Sequence, residues 1–181
     1  PIAPSSSSSP WCLVGCDIVP APVWRAPRRE PPRTAMFAPT QQDVRRFFCS
    51  AWAKSQAGQL METIETLAAG WIAEHPEWHA DFSDAEAAVA RDYGDGAVGG
   101  NPFLHLSMHL SISEQCSIDQ PRGIRQAVEL LAARRGDLHA AHHEVMECLG
   151  QMLADAHASG RPPDGDGYIA CVQRRATRDA L

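Results

Sequence analysis

No apolar run in these 181 residues approaches the roughly 20 residues that a membrane-spanning helix needs, so the chain is expected off the membrane. Positive charge is also short: 16 basic residues stand against 22 acidic ones, a net charge of −6, which argues against binding nucleic acid through its phosphates. There is no convincing strand pattern, no Ser-His-Asp order and no phosphate-cradling glycine loop. The one glycine-rich stretch, GDGAVGG at 94–100, follows a helical pattern with no strand before it and reads as a flexible connection. Paired-cysteine rhythm is missing too. Apart from a C-x3-C at Cys12 and Cys16, the six cysteines are scattered and four sit in helical patterns, so reduced thiols in a cytoplasm are expected.

What is present divides near Met36. Residues 1–35 hold eight of the fourteen prolines, a run of five serines and four arginines, too little apolar surface to offset chain entropy. A disordered arm is expected there. Its apolar patch Trp11–Val14 lacks the length and basic start of a signal peptide. Met36 reads as the initiator, with the leading segment a non-native extension or a dispensable arm. From residue 36 on, 12 basic and 20 acidic residues leave a charge of −8, and residues 36–181 are expected to form a single helical domain.

Three- and four-residue apolar spacing predicts six to seven helices with short connections, an all-α, compact helical bundle. The expected starts are Thr40, a second helix carrying a stripe from Leu60 to Ile72, Ser83 with Glu86 as a capping box, Asn101–Pro102, Asp119 with Pro121, and Asp137, with a last helix over Tyr168–Ala176. Pro76 should end the second helix at His75.

The fourth helix raises the functional question. In NPFLHLSMHL, apolar residues cover nearly the whole circumference, so the helix should be buried, yet it carries His105 and His109 four residues apart on one face. Buried imidazoles need partners, because an unpaired polar group in an apolar interior costs a few kcal/mol. The sixth helix offers them: in HAAHHEVMECLG, His139, His143 and Glu147 recur every four residues. Helical bundles that hold metal build sites from inward-facing His and carboxylate residues at this spacing. The expected site is therefore His105, His109, His139, His143 and Glu147, holding zinc or non-haem iron. An open coordination position would acidify a bound water. Cys116, on the same face of the fourth helix, is a secondary ligand candidate. His79 is another, although His75 and His79, flanking Pro76, read first as a helix-end pair packing on Trp71 or Trp78. His142 and His157 are expected in solvent. In the turn ISEQCSIDQPRGIR, Arg122 and Arg125 are expected to pair with Glu114 or Asp119. The alternative function is a non-enzymatic helical interaction or scaffold module with structural histidines, its partner a second copy or another protein.

The stretches VRRFF, WIAEHPEWH, NPFLHLSMHLSISEQCSIDQPRGIR, HAAHHEVMECLG and GRPPDGDGYI make residues 36–176 resemble a bacterial family of uncharacterised helical proteins, domain of unknown function 1841. The resemblance implies an all-helical single domain in which His79, His105, His109, His139, His143 and Glu147 fall within the signature stretches, and it implies no activity. Ala154 stands where the family tends to carry an aromatic.

Overall fold

Thr40 opens the first helix as expected. Its hydroxyl accepts from the Asp43 amide at 3.2 Å while the Asp43 carboxylate takes the Thr40 amide at 2.8 Å, so two orphan donors are satisfied at once. The computed structural model describes residues 39–94 and 100–178. The expected arm, the expected initiator Met36 and residues 95–99 of the glycine-rich connection lie outside them.

Within the unit Pro39–Leu181, the described residues form α1 (Gln41–Gln56), α2 (Thr63–Ala73), a 3-10 helix (Pro76–Phe82), α3 (Ala85–Ala90), α4 (Pro102–Ile118), α5 (Ile124–Arg135), α6 (Leu138–Ser159) and α7 (Gly165–Thr177). They contain no strand, and the all-α bundle stands. Asn101 and Asp137 cap α4 and α6 with their side chains. Four boundaries differ from expectation, the simplest being α7, which starts at Gly165 behind its Asp164 cap and not at Tyr168. Asp84, one residue past Ser83, caps α3, because its carboxylate reaches the amides of both Glu86 and Ala87. The second helix starts at Thr63, so Leu60 lies outside it and is 99% exposed, leaving Trp71 and Ile72 as the stripe's buried part. The fifth helix begins only at Ile124. Asp119, left-handed at φ 51°, ends α4 and accepts from the amides of Gly123 and Arg125. Arg125 makes no ion pair among the described residues: it donates to the Cys116 and Ser117 carbonyls, satisfying the end of α4.

Two apolar clusters form. One gathers Phe48, Trp71, Ile72, Phe82, Phe103 and Leu106 from the N-terminal elements, and the other gathers Met108, Ile112, Val128, Leu131, Val145, Leu149 and Val172 from α4 to α7. The fourth helix serves both, which explains why it is apolar nearly all round. His105 and His109 are interleaved with its core residues, where the two clusters meet.

The expectation of reduced thiols fails for one pair. Cys148 on α6 and Cys171 on α7 face each other with Cα atoms 5.9 Å apart and are joined in a disulfide. Cys49 and Cys116 are free. No helix among the described residues is long and apolar enough to cross a membrane.

Candidate metal centre

His75 is the residue from which the site is best built. Pro76 starts the 3-10 helix and breaks α2 just before it, so the His75 backbone turns out of the helix (φ −126°, ψ 66°) and its ring folds back onto the broken end. There its Nδ1 lies 2.7 Å from the Trp71 carbonyl. A carbonyl can only accept, so Nδ1 carries the hydrogen and Nε2 must present a lone pair. His79 caps the same end through Nε2, 3.0 Å from the Ile72 carbonyl, and lies tilted against Trp52 at 4.4 Å.

The Nε2 lone pair of His75 points into a group of rings supplied by α4 and α6. Its Nε2 is 3.0 Å from Nε2 of His105 and 3.0 Å from Nε2 of His139. The Nε2 of His105 is in turn 3.1 Å from that of His143 and 3.2 Å from that of His109. His75, His109, His139 and His143 each offer a ring nitrogen within 4.8 Å of all the others. The sixth ring, His142, meets His109 through Nδ1 at 3.3 Å. Trp71 stacks on His109 at 4.2 Å and lies against His142 at 4.4 Å, held by a 3.0 Å bond from its Nε1 to the Ser113 hydroxyl. Trp78 lies parallel to His75 at 5.1 Å. Ring positions are thus set by packing as well as by hydrogen bonds.

These contacts cannot all be hydrogen bonds between neutral rings. A ring nitrogen holds either a hydrogen or a lone pair. With His75 fixed as an acceptor, His105 Nε2 must carry a hydrogen to satisfy that contact, and that one hydrogen cannot also satisfy His109 and His143. If His105 Nε2 instead carries a lone pair, it faces the lone pair of His75. Adding protons to His75, His109, His142 or His143 is no remedy, because burial and the neighbouring rings disfavour their charged forms. Burial first, then neighbouring rings, pushes His109 far below the usual histidine range and lowers His142 to about 4, while His75 and His143 also move down. A single cation among them would take the lone pairs of His75, His109, His139 and His143 together. Nitrogens bonded to one ion at 2.0–2.1 Å lie about 3 to 3.4 Å apart; the His75 and His139 nitrogens are 3.0 Å apart, and all four of the group lie within 4.8 Å of one another.

The predicted ligands separate accordingly. His105, His109, His139 and His143 come together, with His109 fully buried and His143 at the surface. Glu147 does not join them. Each four-residue step turns about 40° on a helix, so Glu147 lies some 80° round from His139; its carboxylate is 2.6 Å from Arg175 on α7 and 66% exposed. Cys116 shares the face of His109 but lies two turns, about 10 Å, along the axis, and burial pushes its thiol up to about 11. His79 keeps the helix-end role, with its Nε2 engaged outside the group. Two residues were undervalued. His75 belongs to the group, and the signal for it was present: a histidine just before the proline that ends a helix can cap that end and aim its other nitrogen elsewhere. His142, expected in solvent, is 97% buried because Trp71 covers it. His157 is exposed as expected.

A family model described as "Domain of unknown function (DUF1841)" matches residues 40–174. No curated protein and no solved structure gives a match.

Proposed function

The chain belongs to the DUF1841 family, whose description carries no activity, so we propose a function from the site alone: a helical metal-binding protein that holds one divalent transition-metal ion, zinc, on His75, His109, His139 and His143, with His105 alongside. The observation that carries this reading is the convergence of Nε2 atoms, one with its tautomer fixed by the Trp71 carbonyl, in an arrangement that hydrogen bonding between neutral rings cannot satisfy. The link from Trp71 O through His75 also supports it, since metal-bound histidines commonly donate their second N–H to a carbonyl. The donor set narrows the element. With Glu147 held by Arg175, the carboxylate typical of non-haem iron sites is absent from the group, and all-imidazole donors favour zinc among the expected metals.

Elemental analysis of protein purified without added metal tests the proposal. About one equivalent per chain is expected, falling to background in His109→Ala and His143→Ala and retained in Glu147→Ala and His79→Ala, with circular dichroism confirming that each variant is folded. Background metal in the wild type, after growth with zinc and after direct addition of zinc, would overturn it. The histidines would then be structural, which is the interaction-module reading.

A further inference from the structure

Beside the histidine group, a cavity of about 680 Å³ opens between α2, α4, α5 and α6. Leu67, Trp71, Val128 and Leu138 give it apolar walls, and Gly70, mid-helix in α2, leaves it open, since a Cβ there would meet nothing within 4 Å. Its size is that of a small-molecule site. His142 lines it. That ring, 97% buried, spends Nδ1 on His109, and no described residue bonds its Nε2.

We infer that this cavity binds a neutral organic molecule with an apolar body and one hydrogen-bond-accepting oxygen, such as a ketone, which takes the Nε2–H of His142. The sense of that bond rests on the proposed metal site. With the His109 Nε2 lone pair on the ion, its Nδ1 carries the hydrogen and donates to His142 Nδ1, so neutral His142 carries its own hydrogen on Nε2. The ligand's oxygen is thereby linked to a metal ligand through one intervening ring.

Charge at the cavity decides against an anionic ligand. Its cation, Arg125, is committed to the Cys116 and Ser117 carbonyls at 2.7 and 2.6 Å. Glu74 and Glu129 line it without an ion-pair partner among the described residues, and the Asp137 carboxylate caps α6. A carboxylate ligand would meet three negative groups there.

Acetophenone, ethylbenzene and benzoate test this as probes of one size, with binding to the metal-loaded full chain followed by saturation-transfer NMR. Acetophenone is expected to bind about five- to tenfold tighter than ethylbenzene, the worth of one hydrogen bond, and benzoate more weakly than either. His142→Phe should bind ethylbenzene as the wild type does and lose the preference for the ketone. Gly70→Leu, which fills the cavity, should bind neither while keeping its metal. Equal affinity of the wild type for acetophenone and ethylbenzene would overturn the inference, as would unchanged binding in folded Gly70→Leu. A chain that holds no metal yet prefers the ketone would overturn the metal proposal and leave this site standing.

Discussion

Trp71 does three things at one position: it walls the cavity, stacks on His109 while lying against His142, and bonds Ser113, whose hydroxyl in turn donates to the His109 carbonyl. Trp71→Ala should cost about 3–5 kcal/mol in urea unfolding, as large-to-small core changes do. Trp71→Phe, which keeps a ring but leaves Ser113 without its donor, should cost about 1–2 kcal/mol. The histidines give a second prediction at this scale. The folded-state values of His75, His142 and His143 lie below the ordinary 6.5, so between that value and about 4, the folded value for His142, the unfolded chain binds more protons. Metal-free protein should therefore lose stability steadily as pH falls from 7 to 4. His142→Phe should show a shallower slope when urea midpoints are compared across that range.

At the scale of elements, the second helix carries an untapped reserve. Gly70 has helical geometry and open space around a would-be Cβ, so Gly70→Ala should raise stability by about 0.5–1 kcal/mol through helix propensity alone, read as a higher urea midpoint. The α6–α7 pair gives the opposite case. The disulfide between Cys148 and Cys171 closes a loop of 23 residues, and replacing both with serine should cost about 3 kcal/mol relative to the oxidised protein. These elements also show what a linear reading reaches. The capping residues Thr40, Asn101 and Asp137 and the i, i+4 histidine pairs depend on local spacing, and all are in place. Contacts that depend on how helices cross were beyond it. The Cys148–Cys171 juxtaposition, the capture of Glu147 by Arg175 and the covering of His142 by Trp71 are each set by a neighbouring helix. His75 is intermediate: Pro76 announces the break, but the ring's return to the Trp71 carbonyl needs the third dimension.

For the molecule as a whole, ligands from three segments distant in the chain tie α2, α4 and α6 together, so ion binding and folding are coupled. A ligand at a hundred times its dissociation constant adds about 2.7 kcal/mol. Saturating zinc should raise the melting temperature of wild type and Glu147→Ala alike and leave that of His109→Ala unchanged in calorimetry. Removing Glu147 breaks only a surface pair, worth about 1 kcal/mol or less.

The group is also graded in depth, from His109 at the bottom to His143 at the rim. Such a centre has a doorway. An ion arriving after the helices have assembled would meet the His143 imidazole first and be handed inward, shedding water as it goes. Loading and exchange would then run on the timescale of a side-chain swing at the rim rather than that of global opening.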